Sequence, residues 1–330
     1  MPLVVRGECS GMSSMVVRWL AGDGSPQEGG LEALTADLGT TSWVWVDIEA
    51  PSEGDLSAIK ERFDLHPLAV EDSSHPQIRA KVDIYPTGLF LVWITPMRLD
   101  VDTVTSQELD VFIGRDYLVT LHEQPCNAIV SVASDPARTL KGGPDWTVHA
   151  VIDQLVDSDL PLVDSAGEEL ESVEERMLEV PRQEDLVSLQ RIRRQLLRLH
   201  RIVSPERDVI RGVARERDIV SEDAYRYFGD VGDHLARVQD SIEIYQDVAA
   251  SVMDVYLSAQ NNRMNEIMKQ LTVVATIFMP LTLLSGIYGM NLLEGMWPRP
   301  LGYWSFAIVV GSMMVIAASM AVYFRKKKWW

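Results

Sequence analysis

The spacing of hydrophobic positions changes partway along the chain, and that change divides it. Up to residue 145 the apolar positions come in short β-branched and aromatic runs, at 15–20, 42–48, 81–85, 89–95, 108–113 and 117–122. Runs of this length predict strands, and Gly114-Arg115-Asp116 supplies the turn between the last two. Ser52, three residues before Asp55, opens a helical stretch to Phe63 as an acidic variant of the capping box. Residues 66–73 predict a second short helix, carrying Glu71 and Asp72. The expectation for 1–145 is an α+β unit, a small mixed sheet with helices on it. No glycine-rich phosphate loop follows any strand.

From about Val148 the period becomes helical. Residues 164–179 hold seven acids, Pro181 interrupts, and 186–203 carry five arginines over an apolar seam of Leu189, Ile192, Leu196, Leu199 and Val203. This predicts an antiparallel hairpin within 146–224, its basic face paired with an acidic neighbour. After the region of Pro205 a new helix is expected to begin near 225–233. No Pro or Gly occurs from Asp233 to Met279, so the helix can run about 70 Å at 1.5 Å per residue.

That helix carries two stripes. Leu235, Val238, Ile242, Tyr245, Ala249, Val252 and Tyr256 step by three and four, a heptad seam that requires partner helices. On another face Asp247, Ser251, Asp254, Ser258, Asn261 and Asn265 continue without a break into Met268, Leu271, Ala275, Met279, Thr282, Gly286 and Gly289. Around a shared axis this stripe would form a hydrated vestibule above a narrow apolar collar. A face packed against a neighbouring span fits the same spacing equally well.

Two stretches, 271–293 and 300–324, contain no charge. Each rises roughly 35 Å as a helix, against about 30 Å of bilayer hydrocarbon. The intended division is a stalk helix over 225–270, a first span over 271–293, an outer loop over 294–299, a second span over 300–324 and a basic tail over 325–330. Arg325 and Lys326 to Lys328 place the C-terminus in the cytoplasm, and with two spans the N-terminal part as well. Trp297, Tyr303 and Trp304 at one end, and Tyr323, Trp329 and Trp330 at the other, fit interfacial anchors.

Charge narrows the partners. The net charge is −18, and residues 1–265 hold 46 of the 48 acids but 24 of the 30 Lys and Arg. A nucleic-acid partner is excluded, and cation binding fits. Cys9 and Cys126 show no motif spacing, which fits a reducing compartment, and the first residues lack the apolar core of a secretory signal. The six histidines form no H-x₃-H pair. No nucleophile–base, phosphate-loop or metalloprotease motif argues for an enzyme.

Tyr288-Gly289-Met290-Asn291 closes the first span, Met279-Pro280-Leu281-Thr282 lies within it, and a Lys-rich tail follows the second. Upstream come His66-Pro67-Leu68 with Glu71-Asp72, the run from Tyr227 to His234, and Asp254-Val255-Tyr256-Leu257. In these residues, and in their order along nearly the whole chain, the protein resembles the CorA family of magnesium channels. The resemblance implies a funnel-shaped homopentamer in the cell membrane. Its first spans would line one pore, with Asp254, Asn265, Met268, Leu271, Met279 and Thr282 among the lining residues. Gly289, Met290 and Asn291 would form the selectivity filter. Neutral oxygens there can hydrogen-bond the first-shell waters of Mg²⁺, which dehydrates reluctantly.

The resemblance also implies a regulatory Mg²⁺ site in which Glu71 and Asp72 face Asp230 of the next subunit, joined by Asp153. One departure stands out. The outer loop reads Leu292-Leu293-Glu294-Gly295-Met296-Trp297 where family members often carry Met-Pro-Glu-Leu, so the loop carboxylate is placed differently. The alternatives are a related transporter of Zn²⁺, Co²⁺ or Ni²⁺, and a membrane-anchored sensor that does not conduct.

Overall fold

The computed structural model describes residues 13–35, 42–100, 103–179, 182–289, 303–327 and 329. They form two compact units, Met1–Val252 and Met253–Trp330. Met290, Asn291 and Glu294, with the rest of the outer loop, lie outside the described residues.

The first unit is built on seven strands: β1 (Ser14–Leu20), β2 (Pro26–Gly29), β3 (Val44–Glu49), β4 (Lys81–Tyr85), β5 (Gly88–Asp100), β6 (Thr103–Ile113) and β7 (Tyr117–His122). Their order is β2-β1-β3-β7-β6-β5-β4. Only β3 and β7 pair in parallel; the other neighbours are antiparallel. The sheet is thus mixed, as expected, but larger than the small sheet expected. β2 has no apolar residue to announce it and is held by its pairing with β1.

Helices cover both faces, so the inner strands read as continuous apolar runs and not as alternation. Every residue of β7 is buried. On one face lie α2 (Glu53–Phe63) and α3 (Pro67–Ser73). Phe63 stacks on Tyr117 with 4.7 Å between ring centroids, and His66 stacks on Tyr85 at 4.3 Å. The capping box at Ser52 and Asp55 forms in full. His66 caps α3 in its turn, its Nδ1 accepting from the Leu68 N–H at 3.3 Å.

The other face carries α6 (Pro144–Glu179) and α7 (Gln183–Arg215), with the short helices α4 (Asn127–Ala133) and α5 (Pro136–Gly142), while α1 (Leu31–Thr35) lies beside α2 on the first face, its Leu34 carbonyl accepting from Arg62 Nε at 3.1 Å. Gly212 of α7 lies so close to β4 that a Cβ would meet Val82 Cγ1 at 2.4 Å. α7 corrects the sequence reading, because it does not end near Pro205 but runs through it to Arg215. A helix-interior proline costs about 3 kcal/mol. Val203, Val209, Ile210 and Val213 around it are all buried, and burying such a side chain contributes about 1.5–3 kcal/mol each.

The next helix, α8, spans Glu222–Gly289 and contains Pro280. Its heptad seam finds partners in the same chain: Leu235, Val238, Ile242, Ala249 and Val252 are buried. Tyr245 sits against Gly167 of α6, and Gln246 Nε2 donates to the Leu196 carbonyl of α7 at 3.3 Å.

The second unit holds the rest of α8 and α9 (Tyr303–Lys326). Among the described residues, these two helices are long and apolar enough to cross a membrane.

Candidate metal and pore sites

The acids singled out in the first unit fall into two places. Glu71 and Asp72 stand in the last turn of α3, Glu71 exposed and Asp72 half-buried. Asp72 is ion-paired to Lys81 of β4, whose ammonium also reaches Asp83 at 3.0 Å. A divalent ion at Asp72 therefore competes with a lysine already in place.

Asp153 and Asp230 stand elsewhere, in a cluster between α6 and α8. Asp153 and Asp157 are four residues apart on α6, as are Asp230 and His234 on α8, so each pair shares a helix face. His234 Nδ1 is 3.5 Å from Asp157 and its Nε2 is 3.6 Å from Asp230. One ligand atom each from Asp153, Asp157 and His234 lies within 4.8 Å of the others. Burial pushes the Asp153 carboxyl up, the Asp157 and Asp230 charges add to that, and His149 and His234 oppose it. Among the described residues no hydrogen bond or ion pair joins Glu71 or Asp72 to Asp153 or Asp230 within one chain.

Asp157 and His234 were missed by the sequence reading. Their i, i+4 spacing to the two named acids was the available signal. Two or three carboxylates and an imidazole facing one another can hold a divalent cation. The imidazole suits Co²⁺, Ni²⁺ and Zn²⁺ better than Mg²⁺, which favours oxygen.

Beside the cluster, His149 is buried against Trp146, Tyr227 and Phe228. Burial holds its imidazole below the usual histidine range, against the pull of Asp153.

The long stripe of α8 has the opposite character to its seam. Asp254, Asn265, Met268, Leu271, Met279, Thr282 and Gly289 are all exposed, and Met279 keeps 74% of its surface. Among the described residues, none from another element buries these positions. Leu271, Ala275 and Met279 line an open groove of about 580 Å³ that Met320 of α9 also borders. Thr282 Oγ1 donates to the Phe278 carbonyl at 2.9 Å, which leaves its oxygen free to accept. Lys269 is the last charge on α8 before Gly289.

The description CorA-like Mg²⁺ transporter protein belongs to the family model that matches residues 40–326. The cobalt/magnesium transport protein CorA of Thermotoga maritima is 32% identical over 297 residues, covering 86% of this chain and 83% of that protein. The zinc transport protein ZntB of Photorhabdus laumondii is 26% identical over 229 residues, covering 66% of this chain and 67% of that protein. The solved CorA magnesium transporter of Methanocaldococcus jannaschii superposes with a TM-score of 0.80 at 22% identity, over 96% of this chain and 99% of that one. That likeness concerns the fold. The family match runs from the third strand to the end of the last helix, and the Thermotoga relative agrees over nearly the same length, so the chain belongs to the CorA-like Mg²⁺ transporter family.

Proposed function

We propose that this chain is the subunit of a homopentameric Mg²⁺ channel of the cell membrane, with both termini in the cytoplasm. The observation that carries the reading is the stripe of α8. It is polar from Asp254 to Asn265 and uncharged from Leu271 to Gly289, and it is exposed along its whole length in the single chain. A face of this kind is complete only when copies of itself surround it. Five copies put the Asn265 amides at the inner entry, Met268, Leu271 and Met279 at a collar that closes by dewetting, and Thr282 beyond it. Gly289, Met290 and Asn291 then hold hydrated Mg²⁺ at the outer mouth. A charged ring at mid-membrane would cost about 2.5–3.5 kcal/mol per residue on insertion scales, and the stripe avoids that cost.

Regulation follows from the acids. Glu71 and Asp72 of one subunit face Asp230 and Asp153 of the next, and these carboxylates repel unless a divalent ion lies between them. High cytosolic Mg²⁺ holds the assembly closed, and low Mg²⁺ releases it. Lys81 keeps Asp72 paired when the ion leaves.

The test is ion flux into liposomes under a set potential. Wild-type protein admits Mg²⁺, and Asn291→Ala abolishes the flux with the pentamer intact. Mg²⁺ flux that survives Asn291→Ala would falsify the filter assignment. Wild-type protein that conducts no divalent ion points to the non-conducting sensor. A second reading, transport of Co²⁺, Ni²⁺ or Zn²⁺, is favoured by the imidazole of His234 within the acidic cluster. Competition among these ions in the same assay separates the two.

A further inference from the structure

The second unit carries a group of cations for which a cation pathway has no use. Arg325, Lys326, Lys327 and Lys328 follow the uncharged stretch of α9 at once, and Lys269 is the last charge of α8 before its own uncharged stretch. Met320 of α9 borders the same groove as Leu271 and Thr272 of α8. At 1.5 Å per residue, Lys269 lies about 3 Å along α8 from Leu271, and Arg325 about 8 Å along α9 from Met320. Consecutive spans run in opposite directions, so the cations of both helices stand at one end of the pair.

Nothing in this unit neutralises them. Beyond residue 265 the chain holds two acids, Glu266 and Glu294, and Glu294 belongs to the outer loop. Lys269, Arg325, Lys326 and Lys327 are exposed, and among the described residues none of them pairs with a carboxylate. A basic last turn often serves only to offset the helix dipole. Here that role absorbs little of the charge, because a helix end carries about half a negative charge and the tail brings four positive ones. Two carbonyls of that end are also engaged already. The Lys327 N–H donates to the Tyr323 carbonyl and the Trp329 N–H to the Phe324 carbonyl, both at 3.1 Å.

The aromatic residues of the tail fix the depth at which these cations lie. The backbone bond from Trp329 turns the chain back and sets its ring 5.9 Å from that of Phe324, which meets Tyr323 at 5.6 Å. The Lys327 ammonium stands 5.6 Å over the Tyr323 ring. Phe324 is buried, while Tyr323 and Trp329 stay exposed. Rings with an apolar body and a polar edge settle at the level of the lipid headgroups. The cations are thus held where lipid phosphates lie, beside hydrocarbon, and a charge near a low-dielectric wall interacts more strongly than one in bulk water.

We propose that Lys269, Arg325, Lys326 and Lys327, with Lys328 of the tail, form a site for the headgroups of anionic phospholipids in the leaflet that the tail enters. The site rests on the membrane placement of α8 and α9, and neither on conduction nor on which side the tail faces. Its ligand is a phosphodiester with a net negative charge, such as phosphatidylglycerol. A zwitterionic headgroup brings its own ammonium, which these cations repel. Each Lys or Arg beside an anionic surface adds about fivefold to the attraction, and salt screens it.

The full chain, reconstituted in phosphatidylcholine vesicles with a trace of spin-labelled phosphatidylglycerol or spin-labelled phosphatidylcholine, tests this. Electron spin resonance reads the fraction of each label immobilised at the protein. Wild type is expected to prefer phosphatidylglycerol by about fivefold or more, and the preference shrinks at high salt. Lys269→Gln combined with Arg325→Gln, Lys326→Gln, Lys327→Gln and Lys328→Gln abolishes it and leaves immobilised phosphatidylcholine unchanged. Equal immobilisation of both labels by wild type overturns the site alone. No immobilised lipid of either kind overturns the membrane placement and the site with it. If the combined variant does not insert, Lys326→Gln with Lys327→Gln decides: a preference that falls severalfold supports the site, and one that does not move overturns it. Inorganic phosphate separates a lipid site from a simple anion site. Displacement of the labelled phosphatidylglycerol no greater than by chloride at equal ionic strength supports the lipid, and greater displacement overturns it.

Discussion

Asp157 and Asp159 stand two residues apart on α6, on opposite sides of it. Asp157 is exposed and faces His234 across to α8, in a cluster open to water. Asp159 is fully buried, and neither of its carboxyl oxygens has a hydrogen-bond partner. The residue type is the same and the helix is the same, yet one carboxylate is available to a cation and burial pushes the other toward its neutral form. What differs is how much water each keeps. A solvated carboxylate stays charged at little cost, and a desolvated one neutralises itself. α8 repeats the contrast with adjacent residues, since His234 reaches the acids while Leu235 is 1% exposed in the core.

The largest expected effect tests that second contrast directly. Leu235→Ala removes a filled position and costs about 2–5 kcal/mol. His234→Ala stays within about 0.5 kcal/mol while weakening Co²⁺ binding. Denaturant unfolding and calorimetric titration of the full chain read the two quantities. Equal destabilisation by both would erase the distinction between packing face and cation face.

The next effect lies on the acid side of the pH curve. Burial holds the His149 imidazole low, so its contribution is fully present above the unfolded histidine value of about 6.5 and is lost as pH falls through the folded value. Unfolding between pH 7 and 5 is therefore expected to be shallower in His149→Phe than in wild type, and an unchanged slope argues that other groups set the acid limit.

The smallest effect on stability belongs to half-buried Asp72 and exposed Asp230. Asp72→Asn with Asp230→Asn leaves unfolding nearly unchanged but weakens the inhibition of flux by internal Mg²⁺. Unaltered inhibition in liposomes removes these carboxylates from the regulatory site.

Much of the fold was legible because its signals are local. Six of the seven strands announce themselves as apolar runs, whereas β2, Pro26–Gly29, exists only through its partner β1. The cap at Ser52 could be read from its spacing to Asp55 and forms as read. The end of α7 could not, because a proline signals a break and only the packing around Pro205 overrides it. The site divides in the same way. Asp153 and Asp230 came from the resemblance, while Asp157 and His234 needed the two helices brought together. Nothing in the sequence around Asp159 or Glu206 distinguishes them from the many solvated acids nearby.

By itself the sequence determined the membership in a family, the two apolar helices and the two stripes of α8. A step of three and four holds one face of a helix whatever surrounds it, and five of the seven seam residues, from Leu235 to Val252, are buried. The tertiary structure alone decided what each face meets. It gave the seam a partner in the chain's own hairpin, set His234 among the acids, and left two carboxylates in the core without a counter-charge. Burial is a property of contacts between distant segments, and it fixes the charge an acid can carry.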